Sequence, residues 1–330
     1  MNNNRSAKAS VENESVSQGK LTLSRRKKAW GWVKNNYGLY IMMLPGYATL
    51  FVFSILPMFG LYMAFIEYTP SISIWKSQNV GWLNFELIFQ DPLLWKMIRN
   101  TLILSCLKLA TNFPLTIILA LLINELETRW FKKAFQTVSY LPNFISWVIV
   151  SGMLTLFLDS DAGILNKVIG WFGGDPVYWY SDPSKWYGIL VITNLWKGLG
   201  WGTIMYLAAM TSIDPTLYEA AEIDGAGRLR QAWSITIPGI AGIVSITLVL
   251  SIGKIFSDDF EQIYALVGTN DALEETTAVI STKVYQYTQQ GRYTLYPQAT
   301  AMGLVQSLVS LVLVTISNGT AKKMGQESLW

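Results

Sequence analysis

Five charged residues stand where charge is costly. Lys108, Lys197 and Lys254 each interrupt an apolar stretch, and Asp258 and Asp259 follow Lys254 closely. Lys197 lies about 11 residues into its stretch, roughly 16 Å along a helix at 1.5 Å per residue, so its ammonium group reaches toward the middle of a bilayer. An ionisable residue at that depth marks a functional site by default. Two chemistries are open to it: an ion pair with Asp258 or Asp259, or direct contact with whatever passes through the membrane. Lys254 is spaced four residues before Asp258, the interval of a helical ion pair. A second group of charges lies in a polar island, YEAAEIDGAGRLRQAWSITIP, from Tyr218 to Pro238. Its carboxylates can form charge-assisted hydrogen bonds to a basic partner.

Other chemistry is excluded by composition. The chain has no histidine and a single cysteine, Cys106, which removes the commonest general base, the commonest metal ligand and any internal disulfide. No Gly-x-x-x-x-Gly-Lys-[Ser/Thr] phosphate loop occurs. No catalytic residue, metal site or cofactor of this chain's own is expected. The net charge of +3 reflects basic residues clustered at span boundaries, not the extended basic face that nucleic acid requires.

The elements that must position these residues are membrane helices. Hydrophobic residues make up 51% of the chain and charged residues 14%, against about 25% charged in a soluble domain. A bilayer core takes roughly 20 apolar helical residues to cross. Charge-free windows of that length run between Lys34 and Glu67, Lys133 and Asp159, Arg230 and Lys254, and Arg292 and Lys322. Thr101 to Asn124 and Trp186 to Ile213 add two more, with one lysine each. The expectation is an all-α integral membrane protein with six transmembrane helices. The first is read as a retained span and not a cleaved signal, because a polar segment precedes it and its apolar run is too long for an h-region. Basic residues cluster in the tail from Arg5 to Lys34, at Arg129, Lys132 and Lys133, at Arg228 and Arg230, and at Lys322 and Lys323. By the positive-inside rule these lie in the cytoplasm with both termini. Expected boundaries are a basic tail over 1–36, disordered to about residue 24, a transmembrane domain over 37–323 and a short cytoplasmic tail over 324–330. RRKKAWGW, at 25–32, reads as an anchor of basic and aromatic residues at the membrane surface.

The polar island then falls in the cytoplasm between the fourth and fifth spans. Asp214 is placed to cap a helix that has Pro215 in its first turn, and Gly225 and Gly227 allow a sharp turn after Asp224. Glu219-Ala220-Ala221, Asp224-Gly225-Ala226 and Ile235, Ile237 and Pro238 closely resemble the EAA loop of membrane subunits of bacterial ATP-binding-cassette (ABC) importers. The flanking NLWKGLGWGTIMYLAAMTSIDPTLYEAAEIDGAG, DDFEQIYALVG and TTAVISTKVYQY resemble the larger permease of maltose-type sugar importers. The ending KKMGQESLW is similar to a subgroup associated with polysaccharide-derived oligosaccharides.

The resemblance implies a type I importer permease fold in which loop 214–238 forms a coupling helix seated in an ATPase subunit. Glu219, Ala220, Ala221, Asp224 and Gly225 would make that contact. It implies a cargo pathway along the fourth span around Gly198 and Trp201 and along the fifth around Ile252, Ile255, Phe256 and Asp259, to which Lys197, by its depth in the membrane, and the neighbouring Asp258 are added as candidates. The family has mostly amides where this chain has the two aspartates. The implied partners are a second, homologous permease, two ATPase subunits that hold ATP and magnesium, an extracytoplasmic solute-binding protein, an oligosaccharide and membrane lipid. Unpaired Lys197 and Lys254 would suit acidic sugars such as uronides. The aromatic and acidic cluster DPVYWYSDPSKWY is open to two readings, an aromatic belt or a docking site for the binding protein. An importer of another solute class and an ion-coupled secondary transporter are the alternatives. The latter leaves the loop without a role and lacks the internal repeats common in that class.

Overall fold

The computed structural model describes residues 32, 35–256 and 259–325. Most of the N-terminal tail, Asp258 and the last five residues of the C-terminal tail lie outside the described residues. The chain divides into two compact units, residues 1–61 and 62–330.

In the first unit, α1 runs over Tyr37–Leu50, continues through a wide π turn at Phe51–Ile55 and tightens into a 3-10 helix from Leu56. The full helical run, Tyr37–Phe65, whose last four residues are counted with the second unit, has 29 residues and is long and apolar enough to cross a membrane. Met42, Phe53 and Met58 are among its exposed apolar side chains. Such a surface suits hydrocarbon as its solvent, where every backbone group must be satisfied within the helix.

The second unit is helical throughout, with one isolated β-bridge between Ile66 and Asn79 among the described residues. Its elements in order are α2 (Leu83–Gln90), α3 (Pro92–Asn124), α4 (Arg129–Tyr140), α5 (Trp147–Leu158), α6 (Ile164–Trp171), α7 (Trp186–Met210), α8 (Pro215–Ile223), α9 (Arg228–Gln231), α10 (Ala241–Gly253), α11 (Phe260–Val267), α12 (Ile280–Gln289) and α13 (Tyr296–Lys323). α3 starts where Asp91 caps it, its carboxylate accepting from the Leu93 N–H at 2.9 Å, with Pro92 in the first turn. α3 and α13, the latter with the preceding turn from Tyr293, are unbroken helices long and apolar enough to span.

Two expected spans are broken. The stretch after Arg129 bends by 95° between Phe144 and Trp147, and the stretch after Arg228 bends by 66° between Gly239 and Ala241. At the first break Pro142 sits in a tight 3-10 turn, Leu141–Phe144, and Ile145 is extended. Ser146 then caps α5. Broken backbone inside a membrane leaves carbonyls without partners, a cost of several kcal/mol each in hydrocarbon. Lys197 meets this need: its Nζ donates to the carbonyls of Asn143 at 2.6 Å and Ile145 at 2.7 Å, and it lies 5.5 Å from the Trp147 ring centroid. The fourth expected span is α7, 25 residues with Lys197 as its one charged residue. It is about 37 Å long at the helical rise, and Asn194, Lys197, the glycines and the aromatic residues lower its hydropathy.

α7 packs along α3 more extensively than any other pair of elements. Small residues permit this approach. A Cβ on Gly200 would stand 2.0 Å from the Ser139 carbonyl oxygen of α4, and one on Gly202 would stand 2.8 Å from Thr116 of α3. Buried side chains then fill three clusters. One centres on Met97, Phe256, Ile280 and Met302, one on Leu104, Trp186, Leu190 and Ile263, and one on Ala120, Tyr206 and Ile240.

Gly200→Val is therefore expected to force α7 away from α4. Overpacking of this kind costs about 1–3 kcal/mol. The check is the thermal unfolding midpoint in detergent, which falls by several degrees, whereas Gly188→Ala, at a site with no atom within 4 Å of the added Cβ, leaves it unchanged.

Candidate functional site

α3, α7, α10 and α11 line an open cavity of about 500 Å³, within the range of roughly 300–1,000 Å³ common for small-ligand sites. Its polar lining includes Lys108, Asn112, Asn194, Thr247, Lys254 and Asp259. The helical spacing of the α3 residues explains part of this. Lys108 and Asn112 are four apart and share a face, turned toward α7 and α11.

One network joins these helices. Lys108, whose side chain is only 11% exposed, donates to Asp259 Oδ2 at 2.8 Å and to Gln262 Oε1 at 2.6 Å. Asn194 donates to the same Asp259 oxygen at 2.9 Å and accepts from Asn112 at 2.7 Å. Gln262, fully buried, turns its amide to the Leu190 carbonyl at 2.7 Å and the Thr193 hydroxyl at 2.9 Å. A buried ammonium is tolerated only when paired and hydrogen-bonded, and two helices supply what the third needs. The Asn112 Oδ1 is buried with no hydrogen-bond partner among the described residues. Among the described residues the lining holds two lysines and one aspartate. It therefore carries a positive balance, with sites for both charged and hydroxyl groups.

The expected pathway residues are only partly gathered here. Gly198, Ile255 and Asp259 line the cavity. Lys197 faces the break before α5 instead, so Asp259 pairs with Lys108 and not with Lys197. Trp201 packs edge-on against Phe144 with ring centroids 5.6 Å apart. Phe256 is buried in a hydrophobic cluster, its carbonyl accepting from Gln306 at 2.6 Å. Ile252, half-buried on α10, is not in the lining. Asp258 lies outside the described residues. Sequence reasoning noted Lys108 as a charge inside the second span without placing it in the pathway, and it missed Asn112, Asn194 and Gln262. The available signal was Lys108 itself, a lone charge in the second span that demands a partner.

The polar island folds as a separate protrusion. Asp214 caps α8, accepting from the Thr216 N–H at 3.0 Å. That hydrogen bond holds the Asp214 carboxyl below its ordinary range. The cap's contribution is thus complete above the ordinary carboxylate pKa and is lost only as pH falls through the lowered one. The helix ends where Gly225 takes φ +74°, a conformation that disfavours side chains, and the Ala226 N–H returns to the Ala221 carbonyl at 2.8 Å. Glu219, Ala220, Asp224 and Gly225 are exposed and Ala221 is half-buried. Leu217, Ile223 and Leu229 are also exposed, Ile223 at 87%. Arg228 ties the turn to Glu127 and, at 3.8 Å, to Glu125 of the loop after α3, and the Tyr218 and Thr236 hydroxyls meet at 2.9 Å. The result is a stiff knob with a small-residue acidic surface and apolar flanks.

A multi-helix membrane domain with a polar cavity and a braced polar knob is the architecture of a transport permease. The chain belongs to the family of binding-protein-dependent transport system inner membrane components, which matches residues 112–324. It is 39% identical over 293 residues to the Bacillus subtilis polygalacturonan/rhamnogalacturonan transport system permease protein YteP, covering 88% of this chain and 90% of that protein. It is 38% identical to Protein LplB of the same organism, covering 90% and 92%. Among solved structures, a chain of a bacterial ABC transporter involved in import of the acidic polysaccharide alginate matches with a TM-score of 0.81 and 39% identity. That match covers 90% of this chain and 99% of that one. The protein is a multi-pass inner-membrane permease of an ABC importer, a transport subunit.

Gln262→Leu tests the network. It leaves the Leu190 carbonyl and the Lys108 ammonium each short of a partner, at about 1–3 kcal/mol per group. The expected outcome is a clear fall in the detergent unfolding midpoint, while Gln286→Leu on α12 leaves it in place.

Proposed function

We propose that this permease moves oligosaccharides containing uronic acid residues across the cytoplasmic membrane, in alternating access driven by separate ATPase subunits. The observation that carries the reading is similarity along nearly the whole chain to permeases whose descriptions name acidic polysaccharides, among them YteP and the alginate importer. The cavity supports it, since the balance of charge among its described lining residues is positive and its amides and hydroxyls can accept and donate to sugar hydroxyl groups.

The remaining partners follow from the parts this chain lacks. With no phosphate loop of its own, it relies on two ATPase subunits to bind ATP and magnesium. The knob of α8 is their coupling helix: Glu219 meets a basic group, Ala220 and Ala221 allow close approach, and Asp224 and Gly225 make the turn. The exposed Leu217, Ile223 and Leu229 are apolar surface that such a partner would cover. A second, homologous permease completes the pore. A solute-binding protein delivers cargo from outside, and one related structure is that of the alginate transporter in complex with an alginate pentasaccharide-bound periplasmic protein.

Reconstitution in proteoliposomes with the partner subunits tests this directly. Trigalacturonate on its binding protein is expected to stimulate ATP hydrolysis and to enter the vesicles, and uptake of neutral maltotetraose in its place would overturn the cargo reading. Glu219→Lys is expected to lower uptake at least tenfold with the complex still in the membrane; normal uptake would remove Glu219 from the coupling contact.

A further inference from the structure

Lys108 is held in an unequal pair. Its own side chain is 11% exposed, whereas that of Asp259 is 51% exposed and lines the cavity. Asp259 is thus the movable member, and Gln262 Oε1, at 2.6 Å, stays with the ammonium if the carboxylate leaves. Two further groups are set around the same spot. Asn194 presents its amide N–H to the position that Asp259 Oδ2 occupies. Asn112 borders the same spot, its amide nitrogen fixed by Asn194 and its Oδ1 buried without a partner among the described residues. The arrangement amounts to a carboxylate receptor, two converging donors and a nearby acceptor, with a carboxylate of the protein already in it.

We propose that Lys108 reads the charge of the cargo, and that Asp259 is a stand-in carboxylate which a cargo carboxylate displaces from Lys108 and Asn194. This rests on the uronic-acid reading above and deepens it by naming the recognising residue. The exchange conserves charge. One carboxylate replaces another on a buried ammonium, so cargo binds without leaving that cation unpaired, and the released Asp259 enters the water of the cavity. A neutral sugar has nothing with which to displace Asp259. The desolvation cost that normally opposes ion pairing is largely met in advance, because Lys108 is already out of water. Selectivity for acid over neutral sugar then comes from the exchange itself, since only an acidic sugar offers Lys108 and Asn194 a carboxylate in place of the one that leaves.

The experiment compares trigalacturonate with its methyl ester in proteoliposomes holding the whole complex, each sugar loaded to saturation on the binding protein. The readout is the ratio of acid to ester uptake, which cancels any common loss of folding or assembly. Lys108→Met with Asp259→Asn, which removes both charges together, is expected to lower the ratio at least tenfold. Asp259→Asn alone, which removes the competitor, is expected to raise it several-fold, and Lys108→Arg to keep it within about twofold of wild type. An unchanged ratio in the double variant, even with reduced uptake of both sugars, makes the pair a structural tie and overturns the proposal. A wild-type complex that carries the ester and not the acid overturns the cargo reading itself, and this proposal with it.

Discussion

The buried ammonium group of Lys108 constrains much of the second unit. An ion of that size, moved from water into protein, costs several kcal/mol unless partners replace its hydration. No residue near it in sequence does so. The partners come from α11, more than 150 positions later, and Asn194 of α7 holds the carboxylate in place. The three helices must therefore keep their relative depth and rotation, and the cavity beside them takes its shape from that demand. The same network leaves Asp259 facing open space and Asn112 with an unused acceptor. A requirement of stability thus produces a polar surface inside an apolar domain.

Close packing and broken helices are linked by the same reasoning. Gly200 and Gly202 let α7 approach α4 and α3 at distances a side chain would forbid, and that approach carries Lys197 to the break before α5. There it satisfies two carbonyls that a sharp bend in a membrane would otherwise leave unpaired. The bend and the lysine require one another. Local order in the polar loop after α7 has a different origin: a carboxylate cap, a glycine at positive φ and two ion pairs to the loop after α3. These features give a short helix a defined direction without a hydrophobic core of its own.

How much was legible in the sequence follows from the range of each interaction. The cap at Asp214, the turn at Gly225 and the positions of the helical runs depend on neighbours within a few residues, and spacing reveals them. The importer resemblance was legible for the same reason, because the loop's motif is contiguous. The partner of Lys197 was not, since it is a pair of backbone carbonyls exposed only by the bend, and the expected pairing with Asp259 gave way to Lys108. Pro142 was visible, but a proline does not by itself tell a tolerated kink from a 95° break. Trp201 and Phe256 illustrate a further limit, as an aromatic residue on a membrane helix reads alike whether it faces a cavity, a neighbouring ring or a packed cluster.

The central claim is that the polar cavity bounded by α3, α7 and α11 is where cargo passes through this subunit. Cryo-electron microscopy of the complete complex with oligogalacturonate, its ATPase subunits closed on a non-hydrolysable ATP analogue, tests that claim most directly. The account predicts sugar density within hydrogen-bonding distance of Lys108 and Asn194, with the Asp259 carboxylate turned away. Sugar held entirely by the other permease subunit, with the Lys108–Asp259 pair intact, would contradict it.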